Sequence, residues 1–212
     1  MKWERGHKSE YVEDLRGKPA SRGGGTAIKA GGGAVVLVIV ALIARALGVD
    51  LPIGDSGSSS SPSQSSQGAQ TSAPPIGDDP AAELFDFVNY VVDDIQATFA
   101  KVFKANGLDY QPATLRVFTD AVDTACGHST SAVGPFYCPV DSYAYVDLSF
   151  YRELRERLGA PGDFAQAYVL AHEYGHHLQN LLGIDAAVRR EVAQDRSLEN
   201  ALSVRQELQA DC

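Results

Sequence analysis

Three of the five histidines in this chain lie within six residues, in the segment AHEYGHHLQN that runs from Ala171 to Asn180. His172 and His176 are four residues apart, so on an α-helix their imidazoles project from the same face. The apolar segments FAQAYVLA before and LQNLL after the histidines favour such a helix. The fold must therefore pack this helix so that two neighbouring imidazoles meet further polar groups.

The HEYGH segment matches the H-E-x-x-H pattern, in which both histidines bind one zinc ion. Glu173 follows the first histidine, where its carboxylate can act as the general base that takes a proton from the attacking water. His177 lies about 100° around the helix from His176, so it cannot share the metal-binding face. We predict that His177 has a packing or hydrogen-bonding role.

A catalytic zinc site needs a third protein ligand. The metzincin extension would require Gly and His where this chain has Gln179 and Leu182, so that class is excluded. The segment ELQAD instead offers Glu207 as the third ligand, with Asp211 one turn later to hydrogen-bond the outer nitrogen of a ligating histidine. The alternative is that both acidic side chains lie on a solvated helix face.

Residues 30–49 form an apolar run that, as a helix, would rise about 30 Å and cross a bilayer core. No Lys or Arg follows Arg45 until Lys101, so the positive-inside rule places residues 1–29, a basic disordered head, in the cytoplasm. The expected location is the cell membrane, with one span and the catalytic domain outside the cytoplasm. A cleaved signal peptide is disfavoured by the long n-region, and a buried helix by three consecutive glycines.

Residues 50–79 are rich in Ser, Gly, Gln and Pro and predict a disordered linker. Residues 80–212 then remain as one folded domain. The net charge of −9 and the absence of an extended basic stretch in this domain exclude nucleic acid as a partner.

Apolar periodicity within the domain predicts an α+β fold that is mostly helical and has a small sheet. Two short strands are predicted in TLRVFTD and YAYVDL, with a loop, ACGHSTSAVGPFYCP, between them. The helices are predicted at residues 79–107, 149–159, 162–183 and 196–212. With the membrane segment, the complete prediction is a zincin-like domain preceded by one transmembrane helix.

Cys126 and Cys138 flank the predicted loop. If the domain lies outside the cytoplasm, these cysteines are expected to form a disulfide. Two buried free thiols are the alternative. A metal site is disfavoured, because His128 is the only nearby histidine and there is no C-x-x-C pair.

The block GPFYCPVDSYAYVDLSFYRELRERLGAPGDFAQAYVLAHEYGHHLQNLLGI, together with ALSVRQELQADC, resembles the neutral zinc metallopeptidases, bacterial proteins with one N-terminal membrane span. Carried over residue by residue, the resemblance implies zinc at His172 and His176, Glu173 as catalytic base and Glu207 as third ligand. It also implies a gluzincin-like fold, in which an edge strand, here YAYVDL, holds an extended substrate by β-addition.

Members of that family continue past the block that ends here at Cys212. We therefore expect an incomplete C-terminus, with Glu207 in a weak last helical turn. No residue that stabilises the oxyanion is evident, although Tyr143, Tyr145 and His128 are candidates.

The predicted function is that of a membrane-anchored zinc metallopeptidase, which hydrolyses peptide bonds of a peptide or protein substrate outside the cytoplasm. The alternative is a non-catalytic binding or scaffold protein that keeps the zincin fold, or an inactive fragment. The intact Glu173 favours the enzyme, because a binding module has no need of that carboxylate. The sequence indicates neither the cleavage specificity nor the oligomeric state.

Overall fold

The computed structural model describes residues 2–18, 82–158 and 162–212. The predicted linker 50–79 lies outside these residues. In chain order the elements are β1 (Val12–Asp14), α1 (Ala82–Ala105), β2 (Thr114–Phe118), β3 (Ala121–Thr124), β4 (Gly127–Thr130), β5 (Phe136–Cys138), β6 (Tyr143–Asp147), α2 (Ser149–Leu158), α3 (Asp163–Leu181), α4 (Ile184–Gln194) and α5 (Glu199–Ala210), with 3-10 turns at Ser131–Val133 and Arg196–Leu198.

The α+β prediction is confirmed, and the core lies between one face of the sheet and the helices α1, α2 and α3. On α1, Val88, Val92 and Ile95 repeat at helical spacing and are buried. On the sheet, Leu115 and Val117 of β2 are completely buried. Each such side chain contributes about 1.5–3 kcal/mol when it is fully removed from water.

In the described part of the chain, the main sheet has four strands in the order β1-β2-β6-β5. The strands β1 and β6 both run parallel to β2, and β5 pairs with β6 in the antiparallel direction. The strands β2 and β6 confirm the two predicted strands, but the expectation that YAYVDL is an edge strand is wrong. It pairs on both sides, and the edges of the sheet are β1 and β5.

The prediction of a loop for ACGHSTSAVGPFYCP is wrong, because this segment holds the strands β4 and β5, and a further strand, β3, precedes it. The strands β3 and β4 form an antiparallel two-stranded sheet, and β5 completes the main sheet. The predicted disulfide between Cys126 and Cys138 is confirmed, and it joins the hairpin to β5. Periodicity missed these strands because each has only three or four residues and the hairpin exposes most of its side chains.

Helix α4 was also missed. The prediction ended a helix at Gly183, and the structure does end α3 at Leu181, with Gly183 in a left-handed conformation. The next residue, however, begins α4. Gly183 thus separates two consecutive helices, because its backbone can turn the chain at a φ of 73° without the strain that a Cβ would bring.

Residues 2–18 belong to the folded domain. The ring of Trp3 lies edge-on to Phe87, with a centroid distance of 5.5 Å. His7 Nε2–H donates to an oxygen of Asp93 at 2.6 Å, and the hydroxyl of Ser9 donates to the other oxygen of the same carboxylate. The prediction of a disordered head is therefore wrong for these residues.

The predicted membrane topology is corrected here. Among the residues described, no helix is both long and apolar enough to cross a bilayer, and residues 30–49 themselves lie outside that part of the chain. A single span after residue 18 would also put β1 and β2 on opposite sides of a membrane, whereas they are hydrogen-bonded neighbours in one sheet. The localisation as a single-pass membrane protein with an external domain is withdrawn.

The docking of the N-terminal segment can be tested at Trp3, the only tryptophan of the chain. Trp3→Ala should lower the free energy of unfolding by about 1–3 kcal/mol, less than for a fully buried aromatic side chain because Trp3 is only partly buried. Urea unfolding measures this loss, and Trp3→Phe is the control that keeps a ring. Acrylamide quenching of Trp3 as strong as that of free tryptophan would show that the segment is undocked.

Candidate metal centre

Two faces of α3 contact different parts of the protein. Leu170, Tyr174 and His177 repeat at helical spacing and are almost completely buried in the core. His172 and His176 repeat at the same spacing on another face, which is turned toward α5. One face of α3 thus packs into the core, and a second face, which carries the two histidines, contacts α5.

The two helices touch at Gly175. A Cβ built on this glycine would lie 2.7 Å from the carbonyl oxygen of Ala210 and 2.9 Å from its Cα, closer than real side chains come. The backbone of α5 therefore lies directly against α3. This close approach brings Glu207, three residues before Ala210, up to the histidine pair.

Three side chains converge at this contact. The Nε2 atoms of His172 and His176 are 3.1 Å apart, and Oε2 of Glu207 lies 3.2 Å from the first and 3.5 Å from the second. Two ligands at about 2.0–2.1 Å from a tetrahedral zinc ion would be about 3.3–3.4 Å apart. The spacing of the three atoms therefore fits one zinc ion.

The hydrogen bonding of Glu207 supports the same fit. Its Oε2 atom is buried and has no hydrogen-bond partner among the described residues. A buried carboxylate oxygen without a partner is costly unless a cation or a donor satisfies it. His172, His176 and Glu207 are the residues that can hold a metal ion here, as the sequence analysis predicts.

The electrostatics of the site favour positive charge at this point. Burial alone would lower the pKa of His176, but Glu207 and Glu173 outweigh it and raise the pKa to about 9. Burial alone would raise the pKa of Glu207, but the two histidines lower it to about 2. Glu207 is thus held as a carboxylate that faces two imidazoles.

Each histidine has a partner on its outer nitrogen. Nδ1 of His172 lies 2.8 Å from Oδ1 of Asp211, the contact expected from the sequence, and Nδ1 of His176 lies 2.9 Å from Oε1 of Gln179. Both partners accept a hydrogen bond, so Nδ1 carries a proton, and in the neutral ring Nε2 is the atom that can bind a metal.

Gln179 was missed as a functional residue. Its amide nitrogen donates to the backbone carbonyl of Gln206 at 2.7 Å, which turns its oxygen toward His176 and also ties α3 to α5. The signal in the sequence is its position three residues after His176, on the same helix face. In the sequence, Gln179 excludes the metzincin extension, which has glycine at this position, and the pattern indicates no further role for it.

The last turn of α5 is formed, contrary to the expectation of a weak one. The helix continues to Ala210, and the Asp211 N–H donates to the Glu207 carbonyl at 3.0 Å. The Asp211 carboxylate adds the bond to His172 and accepts another from the hydroxyl of Tyr168. Side chains of α3 thus hold the turn that presents Glu207.

Glu173 lies beside the three converging side chains. It is buried, and the backbone N–H of Tyr137 donates to its carboxylate. Burial raises the pKa of Glu173, while the two histidines and the Tyr137 N–H oppose the rise. A carboxylate whose pKa is raised is a better proton acceptor near neutral pH.

The prediction for His177 agrees with its surroundings. It is 1% exposed, and its Nε2–H donates to the Gln111 carbonyl at 2.6 Å while Nδ1 accepts from the Tyr137 hydroxyl at 3.0 Å. Burial lowers the pKa of His177, so the ring is neutral. Both ring nitrogens are engaged away from Glu207, and His177 packs the helix in place.

The three oxyanion candidates are not brought to the site. The Tyr145 hydroxyl donates to Asp141 at 2.8 Å, the Tyr143 ring packs under a guanidinium, and the exposed His128 pairs with an aspartate. None of them lines the cavity beside Glu173. Local sequence could not exclude them, because each lies in or next to a strand whose partner only the fold determines.

Gly175→Ala tests whether the helix contact builds the site. Alanine normally stabilises a helix relative to glycine by about 0.5–1 kcal/mol. Here we expect a net loss on the order of 1–3 kcal/mol and loss of bound zinc, because the methyl group meets the Ala210 backbone. Thermal unfolding and metal analysis measure both effects. Ala210→Gly should not rescue the variant, since the closest atoms are backbone, and a Gly175→Ala protein that keeps zinc would contradict the contact.

Comparison with known proteins finds relatives in bacteria. The chain is 41% identical over 216 residues to the Escherichia coli K12 protein named "Uncharacterized protein YpfJ", covering all of this chain and 72% of that protein. It is 48% identical over 104 residues to "Uncharacterized protein Rv2575" of Mycobacterium tuberculosis H37Rv, covering 49% of this chain and 34% of that protein. No solved structure matches significantly.

The model of the family described as "Putative neutral zinc metallopeptidase" matches residues 1–212, which is the whole chain. The two histidines and the glutamate that converge between α3 and α5 suit the metal in that description. The chain belongs to the neutral zinc metallopeptidase family.

Proposed function

We propose that this chain is a zinc-dependent peptidase that holds its metal with His172, His176 and Glu207 and uses Glu173 as general base. The observation that carries the proposal is the convergence of three ligand atoms at tetrahedral spacing, one of them a buried oxygen without a partner. Zinc in such a site polarises the carbonyl of the cleaved bond and makes water more acidic.

Glu173 moves the proton in this reaction. Its carboxylate takes a proton from water as the water oxygen attacks the peptide carbonyl carbon. The same carboxyl group then gives the proton to the leaving nitrogen as the C–N bond breaks, which returns Glu173 to its starting form. The surroundings of Glu173 favour this role, because burial raises its pKa and the Tyr137 N–H orients the carboxylate.

The chain's edge strand can hold the substrate. Among the described residues, strand β5 pairs in the main sheet with β6 alone, and the Tyr137 N–H of β5 donates to Glu173. Phe136 and Tyr137 of this strand line the same cavity as Glu173. An extended peptide added to β5 would run past the catalytic carboxylate, which gives β5 the role that the sequence analysis assigned to YAYVDL.

A metal-binding protein without catalytic activity is the competing function. Such a protein would need the three ligands but not a buried carboxylate that adjoins both the ligands and an open cavity. The position of Glu173 therefore favours the peptidase. A change of this carboxylate alone should abolish hydrolysis in a peptidase, whereas a metal-binding protein has no hydrolysis to lose.

Glu173→Gln separates zinc binding from hydrolysis. Glutamine keeps the size of the side chain but cannot accept the proton, so we expect bound zinc to remain while peptide hydrolysis falls on the order of 10²-fold or more. Zinc content by mass spectrometry and cleavage of a fluorogenic peptide mixture are the measurements. Unchanged hydrolysis in this variant would remove Glu173 from the mechanism, and no hydrolysis by the zinc-loaded parent would favour the binding protein.

Replacement of the ligands tests the metal centre itself. His176→Ala and Glu207→Ala should each lose zinc, because two remaining ligands hold the ion poorly. Asp211→Ala should weaken zinc affinity by only about 10–100-fold, since it acts through His172. His177→Ala is the matched histidine control and should keep zinc. Competition with a chelating dye gives the affinities, and loss of zinc from His177→Ala but not from Glu207→Ala would mean a different third ligand.

A further inference from the structure

A cavity of about 320 Å³ extends from the metal centre. Glu173, His176 and Glu207 form one side of it, and Asp185 and Arg189 of α4 form another. This volume lies at the lower end of ligand pockets, which are about 300–1,000 Å³. A group bound against α4 would therefore lie close to the group that undergoes reaction.

The charged groups of this cavity differ in how many contacts they make with other groups of the protein. Glu207 faces the two histidines, and Glu173 is buried and bonded to the Tyr137 backbone. Asp185 is buried and accepts a hydrogen bond from the Gln206 amide at 2.8 Å. The carboxylates are thus held by the protein itself.

Arg189 differs from them. Its side chain is exposed, and among the residues described it makes no hydrogen bond and no close ion pair. It lies one helical turn after the buried Asp185. Burial raises the pKa of Asp185, and the positive charge of Arg189 acts in the opposite direction. Arg189 is the one arginine or lysine among the described residues that line the cavity.

A guanidinium group offers a planar fork of N–H donors that matches a carboxylate with two parallel hydrogen bonds. Among the described residues, the carboxylates that line the cavity form no hydrogen bond with this fork, so it can bind an acceptor from a ligand. We propose that Arg189 binds a carboxylate of the substrate, so that the peptidase prefers peptides with a carboxylate within a residue or two of the cleaved bond. This inference rests on the proposed function.

The carboxylate can come from an acidic side chain or from the C-terminus of the peptide, and both present the same chemistry to Arg189. Four peptides of one sequence, Ala-Ala-Phe-Xaa-Ala, separate the two sources. Xaa is Glu or Gln, the C-terminus is free or amidated, and all four carry the same neutral coumarin label. Binding to the zinc-loaded Glu173→Gln chain is followed by fluorescence anisotropy, because that variant should hold the peptides without cleaving them.

Arg189→Gln in this background should weaken binding of the carboxylate peptides by about ten-fold, the loss of a charge-assisted hydrogen bond. Binding of the peptide with neither carboxylate should not change. Arg190→Gln is the matched control, since Arg190 is the exposed neighbour on α4 that does not line the cavity. The peptide that loses most in Arg189→Gln identifies the source of the carboxylate.

Equal affinity of the Glu173→Gln chain for all four peptides would overturn the inference. An equal loss of peptide affinity in Arg189→Gln and Arg190→Gln would also overturn it. So would a loss of affinity for the neutral peptide in Arg189→Gln as large as that for the carboxylate peptides. In the parent background, Arg189→Gln should keep zinc, because Arg189 is not one of the three ligand residues. If the parent binds zinc and the carboxylate peptides but cleaves nothing, the proposed peptidase activity fails while the carboxylate site stands.

Discussion

The contact between α3 and α5 at Gly175 is the constraint on which the metal centre depends. Helices with ordinary side chains between them lie about 8–10 Å apart, and a residue without a Cβ lets two backbones come closer. Here the backbone of Ala210 occupies the space that a side chain at position 175 would fill. At this separation the carboxylate of Glu207 lies 3.2 Å from Nε2 of His172 and 3.5 Å from Nε2 of His176.

The same contact brings the polar side chains of α3 and α5 within hydrogen-bond distance of one another. Asp211 and Gln179 accept hydrogen bonds from the outer nitrogens of the histidines, and Gln179 also donates to the backbone of α5. The bonds that orient the imidazoles are therefore also bonds between the two helices. A change that separates the helices would disturb the ligand from α5 and the orientation of the ligands from α3 together.

The cavity beside the metal centre combines parts of the chain that are distant in sequence. The edge strand β5 supplies one wall, α4 and α5 supply others, and the disulfide between Cys126 and Cys138 ties β5 to the neighbouring hairpin. On the far edge of the sheet, residues 12–14 add β1 to β2 across about a hundred residues of chain. The sheet whose strand β5 lines the cavity is thus completed by residues 12–14.

The sequence by itself determined the features that depend on local helix geometry. Two histidines four residues apart must share a helix face, His177 must leave it, and apolar periodicity marks α1 and α3 as helices that pack on a core. Glu207 and Asp211 could be named because their spacing suits a helix that faces a histidine pair. Only the tertiary structure decided pairings over long distances: that β1 joins the sheet, that β5 rather than β6 is its edge, that Gln179 orients His176, and that Arg189 lines the cavity. These depend on which elements pack together, and no pattern within a single segment carries that information.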